Sequence, residues 1–221
     1  MPAATVVLLR DRPGGAPPET LMLRKNAGQA FGGMWVFPGG KVEAADVEAA
    51  GPGADEQGVA RQAAVREAAE ETGVVLPPDA LVPFSHWIPP ESTPKRFSTW
   101  FFVAALPAGA ADVVVDGGEI GDHVWTDAAG ALFRHAEGAI ELVPPTWVTL
   151  QAVATWPSAA AALDIATTSP LSYFATKVVD LDGGIGILWA GDAGYDTADP
   201  LVAGARHRLH MPESGWRYER S

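Results

Sequence analysis

The chain has 221 residues, 48% of them hydrophobic, which is enough for one well-formed core and short for two full domains. A formal net charge of −12 argues against binding along a nucleic-acid polymer, because that requires a basic face. The absence of cysteine excludes disulfides, zinc thiolate sites and a thiol nucleophile, and it suits a reducing cytoplasm.

The first predicted elements are two strands. Residues 5–10 and 19–24 are apolar runs separated by a segment rich in proline and glycine, which is typical of a hairpin with a long tip. The first run has no basic stretch ahead of it and is too short for a signal peptide or a membrane span. We therefore predict a cytoplasmic protein without a membrane partner. Residues 35–37 should extend toward the Pro38-Gly39-Gly40 turn.

The middle of the chain is predicted to interleave strands with helices. The predicted strands cover residues 81–88, 96–105 and 123–126, and the predicted helices cover residues 55–72, 127–135, 145–155 and 158–166. This pattern indicates an α/β sandwich with a mixed β-sheet.

The last third of the chain gives weaker signals. Residues 173–181 and 184–190 are predicted to form a hairpin around Asp182-Gly183. The residues after this hairpin could form a lid, a dimer arm or plain packing, so a homodimer is left open. We divide the chain into a main domain over 1–157 and a C-terminal extension over 158–221 packed on it. Four tryptophans in apolar segments are predicted to be core residues: Trp125, Trp147, Trp156 and Trp189.

Residues 66–74, Arg-Glu-Ala-Ala-Glu-Glu-Thr-Gly-Val, concentrate charge on one face of the predicted helix. Glu70 and Glu71 stand three and four positions after Glu67, so the three side chains lie together. Like charges at this spacing repel by about 0.2–0.5 kcal/mol per pair, which favours a compensating cation. Oxygen ligands of this kind suit Mg²⁺ or Mn²⁺. The alternative for an isolated Glu-Glu pair is a solvated acidic face.

Two neighbouring residues fit this interpretation. Arg66 stands four positions before Glu70 and could pair with it, which would fix the rotamer of one ligand. Gly73 suits the position where a left-handed backbone ends a helix.

Together with Phe37-Pro38-Gly39-Gly40 upstream, this segment resembles the Nudix box. That pattern reads Gly, five residues, Glu, seven residues, Arg-Glu, apolar, any, Glu-Glu, any, Gly, apolar, and its helical end matches completely here. An uninterrupted box has its first glycine 14 positions before the arginine, but Gly40 and Arg66 are 26 apart, so 12 extra residues intervene. Asp46 stands at the distance of the first acidic position, which places the insert within residues 47–58. Residues 49–54 have the composition of a surface loop.

The resemblance implies a Nudix-type α/β/α sandwich and hydrolysis of a diphosphate bond with Mg²⁺ or Mn²⁺. Carried over by position, it makes Glu67, Glu70 and Glu71 metal ligands, beside the carbonyl of Gly39 or Gly40. Arg66 becomes an orienting cation. Which carboxylate is the general base varies within the family. Glu119 occupies a loop where a distal glutamate of this kind commonly occurs.

Residues 31–40, the lengthened box, residues 94–97 and Phe101-Phe102 resemble the coenzyme A and acyl-CoA diphosphatase branch. Gln29 departs from that branch, which has an arginine there. The resemblance implies 3′,5′-ADP and (acyl)phosphopantetheine as products. The ribose 3′-phosphate would then need cations. The candidates are Arg24, Lys25, Lys95, Arg96, Arg206 and Arg208.

Two other functions are compatible with the same box. One is a diphosphatase for ADP-ribose, a nucleotide sugar or a dinucleotide. The other is a non-catalytic module that binds a nucleotide and reports it to a partner. The intact set of Glu67, Glu70 and Glu71 counts against the second, because binding alone does not require every metal ligand.

Overall fold

A computed structural model describes residues 1–28, 31–115 and 117–221, so Gln29 lies outside the described residues. The strands are β1 (Pro2–Arg10), β2 (Glu19–Lys25), β3 (Trp35–Val36), β4 (Gly39–Lys41), β5 (Val82–Ile88), β6 (Ser98–Ala105), β7 (Ile120–Asp127), β8 (Ser172–Ala175), β9 (Lys177–Leu181), β10 (Gly184–Leu188), β11 (His207–Pro212) and β12 (Arg217–Arg220). The α-helices are α1 (Ala44–Ala50), α2 (Glu56–Thr72), α3 (Ala128–Ala136), α4 (Pro144–Val153) and α5 (Ala159–Thr168).

The main sheet is mixed, as the sequence predicts. Within the described ranges its strand order is β3-β2-β1-β6-β5-β8, with β4 paired to β1 and β7 paired to β2. Strand β1 pairs in parallel with β6 from Pro2↔Ser98 to Leu9↔Ala105. It meets β2 only at its end, through Leu9↔Thr20 and Arg10↔Glu19. The predicted hairpin is therefore short, and the rest of β1 is bonded to β4 and β6.

Side chains of β1 alternate between two hydrophobic layers, which makes the fold an α/β/α sandwich. Val7 and Leu9 belong to one layer, which includes buried residues of α3, α4 and α5. Val6 and Leu8 belong to the other, which is covered by α2. Helix α2 contributes only alanines to that buried layer, so its backbone lies close to the sheet: Ala60, Ala63, Ala64 and Ala68. This close packing brings the Glu67 and Glu71 carboxylates of α2 close to β4.

Helix α2 has the predicted limits because both ends carry capping signals. The side chain of Asp55 accepts a hydrogen bond from the Gly58 N–H at 2.8 Å, which satisfies one of the free donors at the helix start. Gly73 ends the helix with a left-handed backbone at φ 72°. The prediction over residues 55–72 is confirmed.

The loop predicted over residues 49–54 is wrong for its first two residues, because α1 continues to Ala50. A reciprocal capping box starts this helix: the Asp46 N–H donates to the Glu43 side chain, and the Glu43 N–H donates to the Asp46 side chain. Gly51 and Gly53, with φ of 82° and 81°, then turn the chain toward α2. A glutamate cap is an unusual start signal, so the sequence pattern did not reveal it.

The C-terminal part contributes one strand to the main sheet and a second antiparallel sheet of order β12-β11-β10-β9. Strand β8 pairs in parallel with β5, and β9 and β10 form the predicted hairpin through Leu181↔Gly184. The single strand predicted over residues 173–181 is wrong, because it is divided into β8 and β9, which lie in different sheets. Trp189, which follows β10, packs edge-on against Trp87 of β5 at a centroid distance of 5.6 Å. The segment thus shares the main core, and the division at residue 157 stays a prediction.

Three of the four tryptophans predicted to be core residues are buried: Trp147, Trp156 and Trp189. Trp125 is half-buried, and the Arg10 guanidinium lies 4.4 Å from its ring centroid. None of the helices in the described ranges has the length and apolar character needed to span a bilayer.

Candidate functional site

A cavity of about 670 Å³ lies beside the carboxylate face of α2. This volume is typical of a small-molecule site. Its lining combines the acidic face of α2 with β1, β4, the start of α4 and parts of the C-terminal sheet. The acidic residues that line it are Glu43, Glu67, Glu70, Glu71 and Glu119. The structure therefore brings every predicted catalytic and metal-binding residue to one place, with Gly39, Gly40 and Arg66 among them.

Arg66 joins the two halves of the motif. Its Nε and Nη2 atoms each lie 3.0 Å from an oxygen of the buried Asp46 carboxylate, in a bidentate ion pair. Nη1 lies 2.8 Å from Glu70 Oε2 and 3.1 Å from Glu67 Oε1. Hydrogen bonding to Asp46 is the main reason that the pKa of Arg66 is raised. The guanidinium therefore stays charged and orients two of the α2 carboxylates.

Glu71 is the most enclosed carboxylate of the set, with a side chain 5% exposed. Its Oε1 lies 2.6 Å from Lys25 Nζ, and its Oε2 accepts a hydrogen bond from the Gly39 N–H at 2.8 Å. Burial raises the pKa of Glu71, although Lys25 and the Gly39 N–H oppose that shift. Because both oxygens already have protein partners, Glu71 is positioned more firmly than Glu67 or Glu70.

Lys25 connects Glu71 to the loop that carries Glu119. Its Nζ lies 3.5 Å from Glu119 Oε2, and the Asn26 N–H donates to the Glu119 carbonyl at 2.8 Å. Burial works against the charge of Lys25, but the neighbouring Glu71 outweighs it and the pKa of Lys25 is raised. The sequence offered Lys25 only as a phosphate-binding candidate. Its pairing with Glu71 depends on the end of β2 lying beside the carboxylates of α2, which no local pattern encodes.

Glu67 lies directly against the backbone of Gly40. A Cβ atom on Gly40 would stand 2.1 Å from Glu67 Oε1, so only glycine leaves room for the carboxylate. Gly39 is equally restricted, because a Cβ there would stand 2.3 Å from the Ala4 carbonyl oxygen. Burial raises the pKa of Glu67 to about 7, with Arg66 opposing and Glu71 and Glu70 adding to the shift. The two glycines thus serve the close approach of β4 to α2 and β1.

We expect Gly40→Ala to lower the diphosphate hydrolysis that the sequence predicts about 10- to 100-fold, because the new methyl group would displace the Glu67 carboxylate by about an ångström. The carboxylate is the end of a flexible side chain, so the unfolding free energy should change by less than about 1 kcal/mol. Steady-state kinetics and urea denaturation measure the two effects. Gly130→Ala in α3, where the nearest atoms to a new Cβ lie at 3.4 Å, is the control. Full activity in Gly40→Ala would contradict the role of the Glu67 carboxylate in the predicted reaction.

The oxygen-rich donor set fits a hard divalent cation, although no three acidic or histidine side chains of residues 1–28, 31–115 and 117–221 already form a metal-binding cluster. Glu70 lines the cavity with a side chain that is 59% exposed, and Glu67 lines it too. These two would supply carboxylate oxygens, and Gly39 or Gly40 would supply a carbonyl. Glu71 is predicted to be a third ligand, but both of its oxygens already have protein partners. To bind the cation, one of these oxygens would have to contact it in addition to, or instead of, its present partner.

The predicted substrate-binding cations are mostly elsewhere. Lys95 lines the cavity, and Lys41, which the sequence analysis did not single out, lines it too. Arg24 is an exposed residue of β2 that is not part of the cavity wall. Arg96 donates to the Pro89 carbonyl at 3.0 Å.

The two C-terminal arginines do not reach the cavity, and their prediction as substrate ligands is not carried forward. Arg206 donates to the Val202 carbonyl at 2.7 Å. Arg208 is buried on β11 and pairs with Asp192 at 2.6 and 2.7 Å. An arginine that faces an internal partner after the chain folds looks, in the sequence, like any surface arginine.

A comparison with protein-family models identifies one family, and similar solved structures share its fold. The family model described as the NUDIX domain matches residues 1–145 of the sequence. The crystal structure of a NUDIX hydrolase from Alicyclobacillus acidocaldarius is 25% identical, with a TM-score of 0.66, covering 77% of this chain and 96% of that one. The NUDIX domain of Shewanella oneidensis NrtR, in a complex with ADP ribose, is 16% identical, with a TM-score of 0.51, and covers 68% and 84%. A search of curated proteins found no match.

Proposed function

The chain belongs to the NUDIX domain family, and from this we propose that it hydrolyses the diphosphate bond of coenzyme A or an acyl-CoA. At the level of the family, it is a Nudix hydrolase that acts on nucleoside diphosphate derivatives, and such hydrolases generally need divalent metal ions. The identity of the ion, Mg²⁺ or Mn²⁺, and the identity of the substrate are our proposals.

The observation that carries the proposal is the Arg66 contact with Asp46 on one side and with Glu67 and Glu70 on the other. Asp46 and Arg66 are separated by a helix end, a glycine turn and the start of α2, yet they pair as two positions of one motif. We propose that residues 47–58 hold an insertion, and that the reactive face of the motif is intact despite it.

The proposed reaction is attack of water on a diphosphate phosphorus, with loss of a proton from the water and cleavage of the bridging P–O bond. A bound Mg²⁺ or Mn²⁺ would neutralise phosphate charge and lower the pKa of the attacking water. Glu67 and Glu70 would hold it, with the carbonyl of Gly39 or Gly40. Arg66 fixes the positions of these two carboxylates.

Glu119 is our candidate for the group that accepts the proton. Its side chain is 58% exposed, lines the cavity and lies beside Lys25. A carboxylate that contacts solvent inside the cavity can reach a water near the substrate, whereas Glu71 has both oxygens bonded to protein donors. We therefore assign Glu71 to positioning and Glu119 to proton transfer.

The substrate assignment depends on the cations and on the length of the motif. Lys41 and Lys95 line the cavity and could contact the ribose 3′-phosphate, which ADP-ribose lacks. The second candidate substrate class is ADP-ribose, a nucleotide sugar or a dinucleotide, and the ADP-ribose complex of the Shewanella domain illustrates that such ligands fit this fold. A non-catalytic nucleotide-binding module is the third. The cytoplasmic location and the homodimer stay predictions.

A panel of diphosphates tests the assignment. We expect the purified protein, with Mg²⁺ or Mn²⁺, to cleave coenzyme A into 3′,5′-ADP and phosphopantetheine, identified by mass spectrometry. Dephospho-coenzyme A, which lacks the 3′-phosphate, is the matched control and should be cleaved with a lower kcat/KM. Cleavage of ADP-ribose with coenzyme A left intact would overturn the substrate and retain the reaction. No cleavage of any diphosphate would favour the non-catalytic module.

A further inference from the structure

One aromatic side chain of the cavity is exposed while most of the others are buried. The buried ones, Phe37, Trp87, Phe101 and Trp189, present little of their rings to the cavity. Phe31 is 48% exposed, and it lines the same cavity as Glu71 and Lys25. A large apolar side chain that stays half in solvent contributes little to the core. Its exposed face is available to a ligand.

The backbone of Phe31 is also in an unfavourable conformation. Its φ is 63°, in the left-handed region that bulky side chains rarely adopt. Gly28, Gly32 and Gly33 surround it in the sequence, so a residue without a side chain would suit the turn better. Fold stability therefore accounts for neither the exposure nor the conformation of Phe31. Strained residues of this kind cluster at ligand sites, which makes the ring a candidate ligand contact.

Hydrogen bonds hold this turn beside the acidic residues. The Met34 N–H donates to the Phe31 carbonyl at 3.0 Å, and the Gly33 N–H donates to the Lys25 carbonyl at 2.9 Å. Lys25 in turn contacts Glu71 through its side chain. These bonds therefore hold the turn that carries Phe31 next to Lys25, close to the place where a diphosphate would bind.

A second ring of the cavity wall packs against Phe31. Phe97, which precedes β6, lies with its ring centroid 6.3 Å from that of Phe31, at an interplanar angle of 53°. Two tilted rings of this kind can accept a flat group that stacks on one and meets the edge of the other. A hydrocarbon chain would gain less, because the exposed side of Phe31 leaves much of the chain in water.

Resting on the proposed function, we infer that Phe31 and Phe97 bind the nucleobase of the substrate. The phosphates then extend from this aromatic pair toward Lys25 and the carboxylates of α2, along the wall of a single cavity. Aromatic stacking tolerates every base, so the pair selects a nucleotide over a phosphate ester without a base. Lys95, two residues before Phe97, also lines the cavity and suits the ribose or its phosphate.

Phe31→Asn tests the inference, because asparagine tolerates a left-handed backbone and removes the ring. We expect the variant to bind ADP about tenfold more weakly, measured by calorimetry with Mg²⁺, and to bind inorganic pyrophosphate as before. Its melting temperature should not fall. Phe31→Tyr should keep ADP affinity, and Phe133→Asn, at an exposed position of α3 away from the cavity, should change neither ligand.

Equal weakening of ADP and pyrophosphate, or unchanged ADP binding, would overturn the inference. A fall in melting temperature together with a loss of both ligands would assign Phe31 to the fold and overturn it as well. The test is separate from that of the proposed function, because ADP binding requires no hydrolysis of coenzyme A. If the protein cleaves coenzyme A and Phe31→Asn binds ADP as before, only the inferred contact between Phe31 and the nucleobase is refuted.

Discussion

Glu70→Gln should lower kcat for diphosphate hydrolysis about 10²- to 10³-fold, in the range found when a group that stabilises transition-state charge is removed. Glu70 extends into the cavity, and glutamine keeps its size while removing the charge that would hold the cation. The fold should be unaffected. The one ion pair that is lost, with Arg66 four residues earlier, is mostly exposed on the Glu70 side and is worth about 0.3–0.5 kcal/mol.

The measurement is steady-state kinetics over a range of Mg²⁺ and Mn²⁺ concentrations, with urea denaturation in parallel. Glu48→Gln, at an exposed position of α1 outside the cavity, is the matched control and should retain full activity. Glu71→Gln should also be strongly impaired, because the new amide N–H₂ would face either Lys25 or the Gly39 N–H. An active Glu70→Gln with unchanged metal dependence would exclude Glu70 from the ligand set.

The predictions that succeeded depend on neighbouring residues. Helix α2 follows from Asp55, Gly73 and the charge pattern between them, all of which act within one or two turns. The gathering of Gly40, Glu67 and Glu70 follows from the resemblance, since a shared motif carries its three-dimensional arrangement with it. Local chemistry and a specific motif were therefore sufficient to predict that these residues lie together.

The features that were missed depend on contacts between distant residues. Lys25 and Glu71 are 46 positions apart, and they meet because β2 passes close to the carboxylate face of α2. Strands β11 and β12 are stabilised by pairing with each other and with β10, so their own sequences carried no clear period. Phe31 is a missed ligand candidate for the same reason. Its exposure and its left-handed backbone exist only in the folded chain.

The buried pair of Arg208 and Asp192 should be worth more to the fold than any exposed ion pair. Asp192 is fully enclosed, and besides Arg208 it accepts hydrogen bonds from the His207 and Gly194 N–H groups. Burial alone would raise the pKa of Asp192, but these donors hold it well below its usual range. The carboxylate therefore joins β11 to the loop after β10, next to the Trp189 that lines the cavity.

Arg208→Met should lower the unfolding free energy by about 3–5 kcal/mol, because it leaves a buried charge without its partner. Urea denaturation at pH 7.5 measures the loss, and Arg217→Met at an exposed position of β12 should change it by less than about 1 kcal/mol. The double variant Asp192→Asn with Arg208→Met should recover part of the loss. A double variant as unstable as Arg208→Met alone would show that the arginine acts through packing and not through charge.

The sign of the pH dependence distinguishes the two explanations further. In the parent chain the folded pKa of Asp192 lies below its unfolded value of about 3.9, so its contribution is present above that pH and is lost as the pH falls through the folded pKa. Without Arg208, burial dominates and the folded pKa rises, which reverses the slope: protonation then relieves the buried charge. The deficit of Arg208→Met relative to the parent should therefore shrink between pH 7.5 and pH 5. A deficit that stays constant over this range would mean that the carboxylate keeps its low pKa without the arginine.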